Sequence, residues 1–388
     1  MKQIKKARLT LAIGLIITSL PAAAFGVSDS RSLAMGGTGV ASSSYLMAPF
    51  HNPAQAVNYS GSDDFGLLLS IGAGVHDGDD LYNKIDHFQD VDEALENMPD
   101  DLALQDEWKQ ALRAIDNGQL NVDTSIGLAA AIPNKHLSMN VFVQANVATI
   151  ALSDVAEDDL QGQPNPDNMA STVQGMIGGT VDAGITLARA IELPFEGQHL
   201  SVGVTPKAQH IVAVNYKNTV SGFEEDEFDL GSEYQKKTVF NADFGVSYLP
   251  TDSITLGFAA KNIFAQELET NQSYGSKATF LVEPKYTVGA AYSNGVVTIA
   301  ADYDISKTRF FREVEHETQF ARVGVELNAW DWAQLRAGYS ASMTDYASDT
   351  ITAGIGFKPF GAFGFDLGAY YGEEENQVGV SAQFVITL

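Results

Sequence analysis

The last twelve residues, QVGVSAQFVITL at Gln377–Leu388, alternate strictly between two faces. The apolar face consists of Val378, Val380, Ala382, Phe384, Ile386 and Leu388. The other face consists of Gln377, Gly379, Ser381, Gln383 and Thr387. A period of two residues is the side-chain period of a β-strand. This stretch therefore predicts a strand that separates an apolar environment from a polar one.

The same alternation recurs upstream as far as Phe65. With the C-terminal stretch it predicts about fourteen strands, since each run is bounded by turn-forming residues. Their approximate ranges are 65–75, 122–132, 136–150, 176–190, 200–214, 239–248, 254–262, 286–292, 297–303, 323–327, 335–339, 351–357, 363–371 and 378–388.

Short and long connections alternate between these strands. Pro133–Lys135, Pro250–Asp252 and Ser293–Gly295 are short, whereas His76–Asn121 and Ala151–Gly175 are long. A soluble β-sandwich also has one apolar face per strand, but it gives no reason for this alternation. A transmembrane barrel has short turns at one rim and long loops at the other, and its closed sheet leaves no edge in the membrane. We predict an all-β fold, a transmembrane antiparallel β-barrel of about fourteen strands.

The longest connection has a helical rather than an alternating pattern. Its apolar residues are spaced for two helix faces, first Leu81, Ile85, Phe88, Val91 and Leu95, then Leu104, Trp108, Leu112 and Ile115. The polar positions are mainly acidic, whereas membrane-surface helices favour Lys and Arg. We therefore predict a helical extracellular insertion at residues 77–120, a hairpin that packs over the mouth of the barrel.

The N-terminus has the pattern of a secretory signal peptide. Four cations within residues 1–8 precede an apolar run at Leu9–Leu20, and Ala22–Ala24 forms a small-residue cleavage site. About a dozen apolar residues are too few to span the membrane as a helix. We expect cleavage after Ala24 and a location in the outer membrane, with a plug segment at residues 25–63 and the barrel at residues 64–388.

Composition and charge exclude several functional classes. The chain has no cysteine, which excludes disulfide scaffolds, thiol nucleophiles and Cys-ligated zinc. The formal net charge is −26, and loss of the signal-peptide cations leaves about −30, so nucleic acid is not an expected partner. The seven histidines are dispersed, and no catalytic motif is present. We expect no enzyme activity, metal or cofactor; the expected partners are outer-membrane lipid and lipopolysaccharide.

A glycine-rich motif lies between the signal peptide and the first strand. It comprises Met35, Gly36, Gly37 and Gly39, and it is followed by Asn52, Pro53 and Ala54. No Gly-Lys-Ser/Thr sequence follows and no strand precedes it, so a phosphate-binding loop is disfavoured. The two motifs resemble the N-terminal signature of the FadL-like outer-membrane family of hydrophobic-compound transporters. The resemblance implies that this segment is the plug of the barrel.

Four further stretches are similar to one branch of that family, the TraF-like proteins named for conjugal transfer. They are residues 256–263, 284–289, 300–304 and 335–339. A thioredoxin-like conjugation protein shares the name TraF and often carries redox cysteines. The present chain has no cysteine, so the shared name is not evidence of that redox function.

The polar strand faces predict a network of charges in the barrel interior, because buried ions need partners or water. Its predicted members are Asp243, Lys261, Glu283, Lys285, Asp302, Asp304, Arg322, Glu326, Arg336, Lys358 and Asp366. This network either pins the plug or lines a polar conduit. A hydrophobic ligand needs an apolar pocket instead, and we predict one around Met35, Leu46, Met47 and Phe50.

Two functions remain open at the level of sequence. The first is uptake or passage of small hydrophobic compounds, or an envelope scaffold, by a FadL-like, TraF-like barrel. The second is a conjugation or envelope-assembly accessory that binds an envelope protein partner through acidic extracellular loops. Uptake into liposomes and co-purification of partners distinguish them.

Overall fold

The computed structural model describes residues 29–61, 63–194, 197–223, 234–315, 317–330, 332–359, 361–372 and 377–388. The predicted signal peptide, residues 1–24, lies outside these ranges. Among the described residues, no helix is both long enough and apolar enough to cross a membrane.

Fourteen antiparallel strands form a closed barrel, which confirms the predicted fold class. The strands in chain order, including two outside the barrel, are β1 (Gly66–His76), β2 (Gln119–Ile132), β3 (Ser138–Asp154), β4 (Thr172–Glu192), β5 (His199–Thr219), β6 (Gln235–Thr251), β7 (Ile254–Lys261), β8 (Gln266–Glu269), β9 (Thr279–Val282), β10 (Lys285–Ser293), β11 (Val297–Asp304), β12 (Phe320–Trp330), β13 (Ala333–Ser342), β14 (Thr350–Phe357), β15 (Phe363–Gly372) and β16 (Gln377–Thr387). Strand β1 pairs with β16 from Gly66↔Thr387 to His76↔Gln377 and so closes the barrel. Strands β8 and β9 form a separate two-stranded sheet, and β9 also makes an isolated antiparallel bridge between Phe280 and Phe311.

The two faces of the wall differ as the alternation predicts. Apolar side chains such as Leu69, Val325 and Ile355 point outward and are exposed. Polar side chains such as Ser70 and Arg336 point into the interior of the barrel, the lumen, and are buried. The two-residue period therefore reflects two different surroundings on the two sides of one sheet.

Residues 29–58 fold inside the barrel, and we refer to them as the plug; the predicted plug bounds, 25–63, stay a prediction, and residues 25–28 lie outside the described ranges. They contain helix α1 (Ser30–Ala34) and two short 3₁₀ helices at Tyr45–Met47 and Pro53–Val57. Asp29 caps α1, because its carboxylate accepts a hydrogen bond from the Ser32 amide at 2.6 Å. Helix α1 contacts β13 to β16, and Pro53–Val57 contacts β4 to β6. The plug therefore spans the lumen from one side of the wall to the other.

The long loop after β1 forms the predicted helical hairpin. Helices α2 (Leu81–Asn97) and α3 (Leu102–Ala114) pack around Phe88 and Trp108, whose rings lie 5.4 Å apart. The Trp108 indole donates a hydrogen bond of 2.6 Å to the buried Asp92 carboxylate. A shorter helix, α4 (Glu157–Leu160), lies in the loop after β3. Met169, Val173 and Val220 extend the same core, so the hairpin is anchored to neighbouring loops.

The β8–β9 hairpin bends into the mouth of the barrel, a feature that the sequence analysis treated as a plain loop. The rings of Phe280 and Phe311 pack at a tilt of 54°, with centroids 5.5 Å apart. Both belong to an apolar cluster with the wall residues Ile150, Met176 and Ile211. The inserted hairpin therefore covers part of the lumen at the end that carries the long loops.

Candidate functional site

Glycines of the barrel wall allow the plug backbone to approach the sheet closely. A Cβ atom on Gly257 would lie 2.6 Å from the Val40 carbonyl oxygen, and one on Gly368 would lie 2.7 Å from the Ser30 carbonyl oxygen. On the plug side, a Cβ on Gly36 would lie 2.6 Å from the Val323 carbonyl oxygen. Separations this short do not occur for real Cβ atoms. The glycines of the motif and of the wall therefore allow direct contact between the backbone of the plug and the backbone of the sheet.

The turn formed by the glycine motif also requires positive φ angles and a carboxylate of the barrel wall. Gly36 and Gly37 have φ angles of 71° and 85°, a region that side chains disfavour. Next to them, the Asp302 carboxylate accepts hydrogen bonds from the amides of Gly39 at 2.8 Å and Val40 at 3.0 Å. A wall residue therefore holds the turn of the plug through the backbone.

The second motif, Asn52–Ala54, links two parts of the plug to the wall. The Asn52 side-chain amide donates to the Val40 carbonyl at 2.8 Å and to the Val246 carbonyl at 3.1 Å. Its oxygen accepts from the Ala54 amide at 3.0 Å and caps the 3₁₀ helix that begins at Pro53. An asparagine can make all three contacts because its side chain both donates and accepts.

An ionic cluster joins α1 to three wall strands. Arg31 of the plug donates to Glu326 at 2.8 and 3.0 Å. Arg336 binds the same Glu326 at 2.6 Å and Asp366 at 2.5 Å. The alternation in the strands predicts the three wall residues but not Arg31, which contributes the contact with the plug. A second plug contact, between His51 Nε2 and the Asp29 carboxylate, ties the second half of the plug to the start of α1.

A second cluster is centred on Asp304. Arg322 binds both of its carboxylate oxygens at 2.9 Å, and Lys285 approaches one of them at 3.0 Å. The structure brings these three predicted residues together on β10, β11 and β12. Each faces the lumen beside the plug, so this cluster borders the same space as Asp302.

A third cluster contains a pair of residues that the sequence analysis missed. Lys207 lies 2.9 Å from Asp182 and 3.0 Å from Asp243, and all three are buried. Only Asp243 was predicted. Asp182 and Lys207 follow the alternation of β4 and β5, so the signal that identified Asp243 was present for them too.

Two predicted members of the lumen network lie just outside the strands, although Glu283 still lines the cavity described below. Lys358 follows the last residue of β14, in the turn to β15, and no ion pair involves it among the described residues. Glu283 precedes β10 and accepts a hydrogen bond of 2.9 Å from the Arg309 amide in the mouth loops. Both assignments assumed that the strands continue one or two residues further than they do.

A cavity of about 320 Å³ lies between the plug and the inserted β8–β9 hairpin. Part of its lining is apolar and part is charged. Among the apolar lining residues are Val40, Phe50, Phe280, Leu281, Val282, Phe310 and Phe320. Among the charged ones are Asp182, Lys207, Lys261, Lys285, Asp302, Asp304 and Arg322. The arrangement suits a small molecule that has both an apolar and a polar part.

Only one of the four residues predicted for a hydrophobic pocket lines this cavity. Phe50 does so, whereas Leu46 and Met47 pack against the wall around Leu68. Met35 is fully buried among Ala41, Ala291 and Ala300. The reason is close packing: these side chains fill the space between plug and wall and leave no room for a ligand beside them.

Solved structures of two toluene transporters and of a FadL homologue have the same fold. The Ralstonia pickettii toluene transporter TbuX matches with a TM-score of 0.58 and 12% identity, over 94% of this chain and 99% of that chain. The Pseudomonas putida toluene transporter TodX matches with a TM-score of 0.53 and 13% identity, over 94% and 99%. A Pseudomonas aeruginosa FadL homologue matches with a TM-score of 0.52 and 10% identity, also over 94% and 99%. At these identities the similarity concerns the fold.

The sequence itself matches a family model. No curated protein matches the chain. The model described as "F plasmid transfer operon, TraF, protein" matches residues 49–304, which is more than half of the chain and includes the Asn52–Ala54 motif. The match also covers the strands that carry Asp182, Lys207, Lys261, Lys285 and Asp304. The chain therefore belongs to this TraF family, and its barrel has the fold of the solved proteins named above.

Proposed function

We propose that the protein is an outer-membrane channel of Gram-negative bacteria for small compounds with a hydrophobic body, seen here in its plugged state. The observation that carries the proposal is the cavity beneath the inserted hairpin, where Phe280, Leu281 and Val282 offer an apolar surface to a ligand. The apolar outward faces of the strands suit a lipid environment. In this arrangement the long loops are extracellular, and the cavity lies on the side from which a compound enters.

The ionic clusters then have a gating role. Side-chain contacts of Arg31 and Asn52 hold the plug to the wall, and the contact of His51 with Asp29 joins two parts of the plug. The glycines bring the backbones of plug and wall together. Passage through the lumen requires that some of these contacts open. The proposal assigns no chemical reaction to the protein, and the expected absence of enzyme activity stays a prediction.

Uptake by proteoliposomes tests this function. Vesicles that contain the purified protein should take up labelled toluene faster than empty vesicles. Phe280→Asp places a charge on the apolar wall of the cavity and should slow uptake, whereas Tyr274→Asp, at an exposed position in the β8–β9 turn outside the cavity, should not. Equal rates with and without protein contradict the proposal. Heat-modifiable migration of the detergent-solubilised protein provides the matching test of a membrane barrel.

One observation favours the second function, binding of an envelope protein. Met98 and Leu102 are 53% and 73% exposed at the tip between α2 and α3, next to Asp100 and Asp101. Exposed apolar residues with an acidic rim are typical of a contact with a basic protein surface. Leu102→Asp should then reduce plasmid transfer between cells and leave toluene uptake unchanged. The same transfer frequency as in the wild type contradicts this second function.

A further inference from the structure

The β8–β9 hairpin, residues 266–282, is held to the barrel in different ways at its two ends. At its base the chain continues into β7 on one side and β10 on the other, so the base is covalently joined to the wall. Its tip is the turn at Tyr274 and Gly275, whose φ angles are 45° and 74°. The tip reaches β5, which is separated from β7 by β6.

The tip is fastened to β5 by side chains that bind the backbone of the strand. Strand β5 runs past the end of its pairing with β6 at Ala213↔Gln235, so its next backbone groups need partners from another segment or from water. The Asn271 side chain accepts from the Asn215 amide at 3.0 Å and donates to the Asn215 carbonyl at 2.9 Å. The Ser273 hydroxyl accepts from the Lys217 amide at 2.9 Å and donates to its carbonyl at 3.2 Å. We call these contacts of Asn271 and Ser273 the latch.

The latch is weak in comparison with the contacts of the plug. All of its groups are neutral, and Asn271 and Ser273 are only half-buried, so water can replace either partner. A hydrogen bond that is exchanged for one with water contributes little net free energy. Arg31 of the plug, in contrast, is bound to the buried Glu326 by an ion pair. The tip of the hairpin is therefore released more easily than the plug.

The base of the hairpin is held more firmly than the tip. The Asp243 carboxylate accepts from the Asn262 amide at 2.7 Å, and the Ala242 carbonyl accepts from the Ile263 amide at 3.0 Å. Lys285, the first residue of β10, is paired with Lys261 in the ladder of the barrel. Release of the tip thus leaves the base in place, which is the arrangement of a hinged lid.

The underside of the hairpin couples its movement to the cavity. The ring of Phe280 lies over Gly178 of β4, where a Cβ atom would overlap the ring. Phe280 packs there with Met176 and Ile211, and Leu281 and Val282 face the cavity beside it. Movement of the hairpin exposes this apolar surface to water, which is unfavourable. A compound with an apolar body covers part of that surface and so reduces the free-energy cost of opening.

We propose that residues 266–282 form a lid that opens at the latch while its base stays in place, and that this opening admits compounds to the cavity from the extracellular side. The inference rests on the proposed function, because it names the step that controls access to the same cavity. Asn271 and Ser273 are not among the residues that line the cavity. A change at the latch therefore alters access to the cavity and leaves its wall as it is.

A reversible crosslink tests whether the lid must open. The chain has no cysteine, so two introduced thiols can be joined selectively. Lys217→Cys/Ser273→Cys places one thiol on β5 and one on the tip, where the two residues are already in contact. A short bis-methanethiosulfonate reagent joins the thiols, and dithiothreitol cleaves the link. In proteoliposomes the linked protein should take up labelled toluene at least about tenfold more slowly than the same protein after cleavage, because access requires the lid to move. Ser273→Cys alone, treated in the same way, is the control and should show no change on cleavage.

Removal of the latch tests the opposite direction. Asn271→Ala/Ser273→Ala should raise the rate of toluene uptake by about fivefold, because the lost hydrogen bonds favour the open lid. Asn294→Ala is the matched control: its side chain accepts from the amides of Val296 at 3.0 Å and Val297 at 2.8 Å in a short turn at the other rim. This variant should keep the wild-type rate. Heat-modifiable migration shows that each variant is folded.

Two results overturn the inference. One is the same rate of toluene uptake before and after cleavage of the link; the other is wild-type or slower uptake by the folded Asn271→Ala/Ser273→Ala protein. Either result leaves uptake above that of empty vesicles and so leaves the proposed function intact. Failure of the proposed function gives the rate of empty vesicles for the wild type and for every variant, linked or cleaved.

Discussion

Replacement of Arg336 by methionine should destabilise the protein strongly. The Arg336 side chain is 4% exposed and bridges Glu326 and Asp366, which are 8% and 12% exposed. After the change Glu326 keeps Arg31, but among the described residues Asp366 keeps only the Gln383 amide at 3.3 Å. Removal of one partner of a buried ion pair costs about 3–5 kcal/mol, because the other charge stays desolvated. We expect a loss of this size in the free energy of unfolding.

Urea unfolding in lipid vesicles, followed by tryptophan fluorescence, measures this loss. The double variant Arg336→Met/Asp366→Asn should recover part of it, because the orphaned charge is gone. Lys307→Met is the matched control: its ion pair with Glu317 is 52% and 44% exposed, so solvent screens it and its loss should change the stability little. If Arg336→Met costs no more than Lys307→Met, or if the second change brings no recovery, the argument from buried charge is refuted.

Three further changes test other parts of the structure. Gly338→Ala should displace the plug, because the new Cβ would lie 2.8 Å from the Gly36 Cα atom. Gly364→Ala is the control and should leave the plug in place, because its Cβ would have its nearest neighbour at 3.6 Å. Single-channel conductance of the two variants measures the difference. Trp108→Phe removes the hydrogen bond to buried Asp92 and should destabilise the helical hairpin by about 1–3 kcal/mol, visible as faster hydrogen exchange in residues 81–114 and not in the barrel. Val325→Arg places a charge on the outward face of β12 and should cost about 2–4 kcal/mol if that face contacts lipid; wild-type stability in vesicles would exclude a lipid contact at this position.

The barrel could be predicted because each strand separates two environments and the sequence must alternate accordingly. Val323, Val325 and Leu327 point outward while Arg322 and Glu326 point inward, and this difference is visible without a structure. Whether a side chain points into the lumen or outward follows from whether its position along the strand is odd or even. The helical hairpin was equally visible, since its apolar residues recur at the spacing of a helix.

The contacts within the lumen could not be predicted in the same way. The alternation along the strands places Asp366 and Arg336 on the lumen face. Their closeness to each other depends on the register between β13, β14 and β15. The role of Arg31 depends on how the plug turns inside the barrel, which no local pattern encodes. The inserted β8–β9 hairpin was missed because two strands of four residues each are too short for a reliable period.

Hydrogen bonds to Leu388 limit how far the plug can move. The Leu388 carbonyl accepts hydrogen bonds from the amides of Asp64 at 2.7 Å and Phe65 at 3.1 Å, directly before β1 begins. Between this anchor and the end of the plug at Asn58, only residues 59–63 remain as a tether. Five residues span about 17 Å when fully extended, which is about half the thickness of a bilayer's hydrocarbon core. While that anchor holds, the end of the plug at Asn58 can swing at the rim but cannot travel far from it.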